Sequence, residues 1–539
     1  MTFSLYKKLY LALLGLLIVF VAVTFKQNGI SNDEQVQHVY GQLLLKFYSS
    51  GFEDHAAFAY KNLYLYGGFF DLIAASLEKI LPLWVWDIRH LISALFGIVG
   101  IAAVYKTTEK LAGERAALLA ALLLTITGAW SGAMFTHTKD VSFGACMAWA
   151  LYYTTLISDR FDRVPFHLSV KLGIAIGCAL GLRIGGAFAV IYLLMLVMIA
   201  SLIQTASFKA KLNFYIKAMV GLLPAGFTAF ILMALFWPWA LMGTDHILIA
   251  AKSFSHFAFN MNTIVDGTFV SIGEVSRSYL IQYLIIRLPE VFLLGLLCMA
   301  IVFCVRLPQQ FKQSGFFKNQ LPNISLAIAI LFPILFVLAD KPALYNGVRH
   351  FTFIIPPLAI LAGIGLSKAW DALQQQPKLQ LIYALLASVL ALNTCYVLFE
   401  LRPYQYIYYN HFAGKNLQQA EHRWEADYWS SSLIDATKML ENHLDAEQKN
   451  WPSSHQGPYF VAVCAEAFQG RAYLDDRFTI TENWVRADFF ISTTHMNCDK
   501  VLKGTIIGTV ERLGAPLSVV KDRRELTGED RRPRAAPRN

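Results

Sequence analysis

The amino-acid sequence predicts a polytopic α-helical membrane protein of about eleven transmembrane helices, followed by a small C-terminal α/β domain. Of its 539 residues, 56% are hydrophobic and only 15% are charged. This composition is typical of integral membrane proteins. Apolar runs long enough to cross a hydrocarbon core recur through the first three quarters of the chain. They lie near residues 9–25, 88–106, 117–135, 141–157, 170–182, 184–203, 213–236, 287–305, 323–339, 350–367 and 379–398.

The fifth and sixth runs form one apolar stretch, residues 171–203, that is too long for a single helix. Arg183, Gly185 and Gly186 lie in its middle. Because a charged side chain and two glycines interrupt the run, the pattern predicts two short helices with a break between them.

Lysine and arginine give the predicted orientation, because both accumulate in cytoplasmic loops. If Lys7 and Lys8 lie inside the cell, the helix count makes every predicted inner loop basic. The same count places the loops at 26–87 and 237–287, and everything after Leu401, outside. We therefore expect a multi-pass protein of the inner (plasma) membrane with a cytoplasmic N-terminus and an extracytoplasmic C-terminal domain. The net charge of +9 then reflects topology and predicts no nucleic-acid partner.

The sequence pattern changes after about Leu401, where aromatic and polar residues cluster. A helix is predicted over residues 431–446. Runs of β-branched and aromatic residues predict strands, which lie at 459–464, 477–481, 487–492, 505–511 and 517–521. The chain thus divides into a membrane domain over 1–400, an α/β domain over 401–525 and a disordered basic tail over 526–539.

Two of the seven cysteines, Cys464 and Cys498, fall in the predicted outer domain. An oxidising compartment permits a disulfide between them, but the sequence alone leaves the pairing open. The other five cysteines lie in predicted helices, where a buried thiol has a structural role.

Several polar groups converge on the predicted outer face. Asp33 and Glu34 follow the first helix, Asp140 lies at the turn before the fourth, Lys61 lies in the first loop, and the pair Arg349-His350 precedes the tenth. Carboxylates can orient and deprotonate a hydroxyl group, while Lys and Arg can hold a phosphate and neutralise the charge that develops as it leaves. Acids and bases beside a membrane predict a lipid-phosphate substrate.

Each of these residues also has a structural interpretation. Asp33 and Glu34 suit the cap and first turn of a helix that begins near Gln35, where the helix dipole favours acids. Asp140 can likewise cap the fourth helix. Lys61 can be an interfacial anchor, and Arg349 can belong to a structural ion pair.

The layout resembles the GT-C superfamily of polyprenyl-phosphate-sugar-dependent glycosyltransferases, in particular the branch of the protein O-mannosyltransferases and the aminoarabinose lipid A transferase. The resemblance covers most of the chain and rests on the order and common sidedness of several short motifs. These are Asp33-Glu34, the Lys61 segment, Lys139-Asp140, Gly181-Leu182-Arg183-Ile184-Gly185-Gly186, Gly347-Val348-Arg349-His350 with Pro356-Pro357, Pro403-Tyr404-Gln405-Tyr406 and Asp427-Tyr428-Trp429.

The resemblance implies a GT-C-like catalytic domain over 1–400 that moves a sugar from a polyprenyl-phosphate donor to a hydroxyl acceptor, with inversion by single displacement. Asp33 would be the base, with Glu34 as its neighbour and Asp140 as a second acid. The other implied site residues bind the donor phosphate (Lys61, Arg349 and His350) or contact donor or acceptor (Tyr64, Tyr345 and Arg183).

The acceptor stays open, whether a lipid, a glycan or a protein. The chain has no additional folded insertion between its later helices such as protein O-mannosyltransferases carry. It also has Lys61-Asn62-Leu63 where the lipid A transferase has Lys-Pro-Pro.

Two further questions remain at this stage. A lipid or sugar-lipid flippase also has many helices and a broken one, although a transporter usually buries its ionisable residues near the membrane midplane. No histidine motif predicts a metal site, but two carboxylates and a phosphate can recruit a divalent ion, so a metal cofactor is left open.

Overall fold

A computed structural model describes residues 4–204, 207–255, 261–310, 316–450 and 458–534. Within these ranges, eight helices are long and apolar enough to cross a membrane, or up to ten if each of two bent helix pairs is one span. The shorter apolar helix Phe166–Leu180 brings the apolar segments to the eleven predicted from the sequence. The multi-pass helical architecture is therefore confirmed. The number of crossings depends on whether each bent pair and the short helix counts as a span.

Up to Phe236, the regular elements of the described chain are all helices. Its α-helices are α1 (Leu5–Thr24), α2 (Glu34–Ser49), α3 (Phe69–Glu78), α4 (Val85–Thr125), α5 (Gly128–Ser131), α6 (Ala133–Thr136), α7 (Thr138–Ile157), α8 (Phe166–Leu180), α9 (Ala187–Gln204) and α10 (Phe208–Phe236). Gly113 interrupts α4 with a φ of 83°, which allows the chain to turn between two spans.

The α-helices of the second half include both short ones and long apolar ones. They are α11 (His246–Ser255), α12 (Tyr279–Arg287), α13 (Glu290–Gln310), α14 (Phe316–Asn319), α15 (Leu321–Asp340), α16 (Ile355–Ala372), α17 (Pro377–Glu400), α18 (Leu417–Glu421), α19 (Leu433–Asn450) and α20 (Ala467–Tyr473). Single 3-10 turns cover Phe25–Gln27, Ala56–Ala59, Leu63–Leu65, Ser158–Arg163, Ile184–Gly186, Pro238–Leu241, Arg349–Ile354, Gln405–Ile407, His495–Lys500 and Gly528–Arg531.

The predicted break at Arg183 is present. α8 ends at Leu180, and a 3-10 turn over Ile184–Gly186 precedes α9. Arg183 itself is extended, with a φ of −150° and a ψ of 147°. The break therefore places a charged side chain at the ends of two apolar helices rather than inside one.

Small residues let the apolar helices approach closely, as is common in membranes. α16 packs against α4 on one side and α13 on the other. A Cβ atom at Gly365 of α16 would lie 2.1 Å from the carbonyl oxygen of Gly295 in α13. This close contact fixes α16, whose N-terminal end carries part of the site described below.

The C-terminal domain is built on a five-stranded mixed sheet in the order β4-β3-β5-β7-β6. Strands β3 (Tyr459–Cys464), β4 (Phe478–Ile480) and β5 (Phe489–Thr493) are parallel, whereas β6 (Thr505–Arg512) and β7 (Ala515–Asp522) join antiparallel. All five predicted strands and the predicted helix, here α19, are present. A separate hairpin, β1 (Asn262–Val265) with β2 (Thr268–Ser271), lies between α11 and α12, in the second predicted outer loop.

The structure decides one feature that the sequence left open and corrects one prediction, both after residue 460. Cys464 and Cys498 form a disulfide. Residues 526–534 of the predicted disordered tail are ordered: the amide of Arg534 donates to the carbonyl of Val501 at 2.8 Å. Composition does not reveal such backbone contacts, and residues 535–539 lie outside the described ranges.

Candidate active site

A cavity of about 830 Å³ lies between the segment that follows α1, the ends of the membrane helices and the C-terminal domain. It brings together residues far apart in the sequence. From the membrane domain it is lined by Asp33, Lys61, Lys139, Arg183, Arg349 and His350, and from the C-terminal domain by Tyr428, Trp429, Glu466 and His495.

Asp33 is the acid of the first loop that faces this cavity. It stands at the N-cap of α2, but its side chain makes no capping hydrogen bond. Its Oδ2 accepts a hydrogen bond from Nη2 of Arg349 at 2.8 Å, and the side chain is 39% exposed. No described residue hydrogen-bonds the other carboxylate oxygen, so Asp33 retains an oxygen that can meet a substrate.

Asp140 is buried behind the cavity wall and is not part of its lining. Its Oδ1 accepts a hydrogen bond from Nη2 of Arg183, and its Oδ2 lies 3.7 Å from Nε of Arg349. Asp140 therefore compensates the charge of two guanidinium groups, which a buried arginine requires. Its placement favours positioning of these arginines over the second-acid role inferred from the sequence.

Three cations of the cavity suit a phosphate ligand. The guanidinium groups of Arg183 and Arg349 are planar and buried, and Arg349 also lies over the ring of Trp429 at 4.2 Å. Lys61 is exposed at the cavity and has no ion pair with any described residue. An anion in the cavity would therefore find two fixed guanidinium groups and one uncommitted ammonium group.

Glu34 points away from this cavity, which differs from the predicted catalytic pair. Its side chain is fully buried, and Oε2 accepts a hydrogen bond from the amide of Ser31 at 2.7 Å. The same oxygen lies 3.2 Å from Nε2 of His90, and Oε1 lies 3.7 Å from Nε of Arg89. Neighbouring residues of a helix point about 100° apart, and here Asp33 faces the cavity while Glu34 faces the protein interior. The side chain of Glu34 therefore closes the turn that begins at Ser31 and belongs to a buried network with Arg89 and His90.

That network continues to Lys139, a cavity residue of the Lys139-Asp140 motif to which the sequence analysis assigned no role. Arg89 donates to Asp71 and to Gln37, each at 3.0 Å, and Lys139 Nζ lies 2.9 Å from the other oxygen of Asp71. Thr138 donates to the same Gln37 oxygen at 2.7 Å. These partners come from four different segments, so no local motif could have indicated them.

The three predicted contact residues differ in their placement. Arg183 and Tyr345 line the cavity, and the ring of Tyr345 lies 4.7 Å from that of His350. Tyr64 does not line it, because its ring packs against Trp239 at a centroid distance of 5.0 Å. Tyr66, two residues later, lines the cavity instead.

The C-terminal domain holds the segment that precedes Asp33. The amide of Ile30 donates to Tyr473 Oη at 2.7 Å, and its carbonyl accepts from Gln469 Nε2 at 2.6 Å. Asn32 Nδ2 donates to the carbonyl of Tyr428 at 3.1 Å. The position of Asp33 therefore depends on a domain that lies some 400 residues later in the chain, a dependence that the sequence did not reveal.

Gly29→Ala should disrupt this docking. A Cβ atom at Gly29 would lie 2.1 Å from the carbonyl oxygen of Ser431, so the backbone must shift. We expect a loss of about 1–3 kcal/mol in unfolding free energy, as for overpacked contacts, together with lower activity. Thermal unfolding checks this, with Gly15→Ala as control because no atom lies within 4 Å of a Cβ there. Equal unfolding midpoints for the two variants would contradict the docking.

His495 forms a pair with Glu425 beside the cavity. His495 Nε2 contacts Oε2 of Glu425, whose Oε1 accepts hydrogen bonds from Thr263 Oγ1 at 2.5 Å and the amide of Ile264 at 2.9 Å. Burial raises the pKa of Glu425, but the charge and hydrogen bonds of His495 and these donors outweigh it, so this pKa falls below its ordinary 4.5. Burial lowers the pKa of His495, but Glu425 reverses this and raises it above 6.5.

The pair should therefore stabilise the fold within a defined pH range. A raised histidine pKa gives stability that is complete below pH 6.5 and lost as pH rises through the folded-state pKa. A lowered glutamate pKa gives stability that is complete above pH 4.5 and lost as pH falls through its folded-state pKa. The destabilisation caused by Glu425→Gln should thus be largest between these values and decrease on both sides. A pH-independent difference in unfolding midpoint would contradict the charge pair.

Within the described part of the chain, no three His, Cys, Asp or Glu side chains are grouped so that they could hold a metal ion. Asp33 and Asp140, the carboxylates that could recruit a divalent ion, are each bonded to arginine. In each of these acids, a guanidinium group therefore engages at least one carboxylate oxygen, while one oxygen of Asp33 is not bonded by any described residue.

The sequence of residues 73–251, about one third of the chain, matches the family model described as dolichyl-phosphate-mannose-protein mannosyltransferase. The matched segment includes Lys139, Asp140 and Arg183. This match confirms the resemblance inferred from the motifs. The chain is a multi-pass membrane protein that resembles the polyprenyl-phosphate-sugar glycosyltransferases of the GT-C superfamily.

Several solved structures are similar to this chain. ArnT from Cupriavidus metallidurans, bound to undecaprenyl phosphate, is 14% identical with a TM-score of 0.45, over 95% of this chain and 98% of that chain. The oligosaccharyltransferase of Archaeoglobus fulgidus in its apo form is 13% identical with a TM-score of 0.48, over 94% of this chain and 74% of its own. Mycobacterial arabinofuranosyltransferase AftD is 11% identical with a TM-score of 0.39, over 85% and 35%. Among curated proteins, no sequence matches significantly.

Proposed function

We propose that this protein is a membrane glycosyltransferase that moves a sugar from a polyprenyl-phosphate donor to a hydroxyl acceptor at the outer face of the membrane. The observation that carries the proposal is the cavity itself. One carboxylate with an unbonded oxygen, Asp33, lies there beside Arg349, Arg183 and Lys61. An acid that can take a proton and cations that can hold a phosphate are the two requirements of this transfer.

The donor phosphate would bind at Arg183 and Arg349, with Lys61 as a third contact. Both arginines are held rigidly by Asp140, so little conformational freedom is lost when the phosphate binds. Fixed positive charges also stabilise the negative charge that grows on the phosphate as it departs. A lipid phosphate is a competent leaving group, so no acid needs to protonate the departing oxygen.

The acceptor hydroxyl would attack the anomeric carbon from the side opposite to the phosphate. The bond from the hydroxyl oxygen to that carbon forms as the bond from carbon to phosphate oxygen breaks. Asp33 takes the hydroxyl proton, and the lipid phosphate leaves with the electron pair. A single displacement of this kind inverts the configuration of the sugar, so it needs only one base, unlike a retaining glycosidase.

The outer-face location is supported by the basic inner loops predicted from the sequence. With a cytoplasmic N-terminus, the cavity and the C-terminal domain share the extracytoplasmic side of the inner membrane. The acceptor would be a protein, lipid or glycan that reaches this side.

The placement of charges favours an enzyme over a flippase. Asp33 precedes α2, Arg183 lies between α8 and α9, and Arg349 precedes α16, so all three stand at helix ends under the C-terminal domain. A transporter would place such groups near the middle of facing helices.

The test uses the purified full chain in detergent with polyprenyl-phosphate mannose and three acceptor probes: a threonine-containing peptide, lipid A and an alkyl glycoside. Transfer to any of them supports the proposal. If no sugar is transferred or released, and the chain instead moves the sugar-lipid across liposome membranes, the proposal is wrong and a flippase is favoured.

A further inference from the structure

The C-terminal domain contributes two polar side chains to the cavity that the donor-binding scheme does not use. His495 and Glu466 both line it. His495 is partly exposed, with 20% of its side chain accessible, while its partner Glu425 is buried at 1%. The pair therefore has one member inside the protein and one at the cavity surface.

The pairing leaves one ring nitrogen of His495 for a ligand. Nε2 is occupied by Glu425, which is itself fixed by Thr263 and Ile264. No described residue hydrogen-bonds Nδ1. In the neutral ring, Nε2 keeps its proton for Glu425, and Nδ1 is a bare acceptor; in the charged ring, Nδ1 is a donor. Either form can bond a hydroxyl group, which both donates and accepts.

A covalent link fixes the two loops that carry these side chains. Cys464 and Cys498 are joined by a disulfide, with Glu466 two residues after the first and His495 three residues before the second. Glu466 also caps α20 through its side chain. Both groups are therefore held in place on the same wall of the cavity.

We propose that His495 and Glu466 form the acceptor subsite, which binds a hydroxyl-bearing acceptor rather than the lipid phosphate. This inference rests on the proposed function. The phosphate would be held by cations of the membrane domain, whereas the His495–Glu425 pair carries no net charge when both are ionised, and Glu466 repels anions. A carboxylate that accepts hydrogen bonds, beside an imidazole whose Nδ1 donates in the charged ring and accepts in the neutral ring, suits uncharged hydroxyl groups.

The experiment measures three quantities on the full chain with polyprenyl-phosphate mannose and whichever of the three acceptor probes the wild type uses: the KM for the acceptor, the KM for the donor, and release of mannose to water. We expect His495→Ala to raise the KM for the acceptor by about tenfold, the loss typical of one hydrogen bond, and to leave the other two quantities unchanged. His495→Gln, whose amide can still bond Glu425, should give a smaller increase and guards against misfolding.

His422→Ala is the matched control, because His422 also pairs with a glutamate, Glu421, at 3.0 Å in the same domain, but is exposed and does not line the cavity. Its kinetics should equal those of the wild type. Two results on an otherwise active enzyme would overturn the subsite: an unchanged KM for the acceptor in His495→Ala, or a release of mannose to water that falls as much as transfer to the acceptor does. A wild-type chain that neither transfers nor releases mannose would instead contradict the proposed function and the subsite with it.

Discussion

Asp33→Asn should lower the rate of sugar transfer by about 10²- to 10⁴-fold, the contribution that a positioned general base makes. The amide keeps the size of the side chain and can still accept a hydrogen bond from Arg349, but it cannot take a proton. The measurement is kcat with polyprenyl-phosphate mannose and the acceptor probe that the wild type uses. Asp33→Glu, which retains a carboxylate in a displaced position, should lose less.

Asp476→Asn provides the matched control for Asp33→Asn, because Asp476 is exposed and has no side-chain bond to a described residue. It should transfer sugar at the wild-type rate. The Kd of undecaprenyl phosphate should change little in Asp33→Asn, since Asp33 acts on the acceptor. Undiminished transfer by Asp33→Asn would refute its assignment as the base.

Arg349→Ala should abolish transfer and lower the unfolding free energy by about 3–5 kcal/mol, the cost of removing one partner of a buried ion pair. The guanidinium of Arg349 bonds Asp33, lies 3.7 Å from Asp140 and covers the ring of Trp429. Its removal leaves the buried Asp140 with fewer compensating charges. Thermal or denaturant unfolding, together with the transfer assay, checks both effects.

Arg349→Lys separates the binding role of Arg349 from its structural role. Lysine keeps the charge but not the planar fork, so the protein should fold while the Kd of undecaprenyl phosphate rises by about tenfold or more. Arg163→Ala is the control for stability, because Arg163 is 91% exposed and its ion pair is expected to contribute less than about 1 kcal/mol. A Kd unchanged in Arg349→Lys and in Arg349→Ala would remove Arg349 from the phosphate site.

Much of the fold followed from the sequence, because its elements leave local signals. Apolar runs marked the membrane helices, and the charge of Arg183 beside two glycines marked the break between α8 and α9. Alternating β-branched residues marked the strands of the C-terminal domain. The number of crossings was less certain, because a helix bend of 66° or 115° leaves little trace in hydropathy.

The candidate site was partly predictable for a similar reason. Asp33, Lys61, Arg183, Arg349 and His350 stand at helix ends on one predicted side of the membrane, and groups on one side can share a cavity. The direction in which each of two adjacent side chains points was not predictable from the sequence. Asp33 is partly exposed and Glu34 is fully buried, a difference that depends on which way the first turn of α2 faces.

The remaining differences depend on contacts between distant segments. Asp140 pairs with Arg183 and Arg349 rather than facing the cavity, and Tyr64 packs on Trp239. Single-sequence patterns carry no information about such partners. The dependence of the first loop on the C-terminal domain is likewise visible only in the folded chain.

The most direct measurement is the anomeric configuration of the product, determined by NMR after transfer from a β-linked polyprenyl-phosphate mannose. A single displacement at the cavity, with the phosphate held by Arg183 and Arg349 and the hydroxyl deprotonated by Asp33, gives an α-linked product. A β-linked product would require two displacements and a covalent intermediate, and would contradict the mechanism proposed for this site.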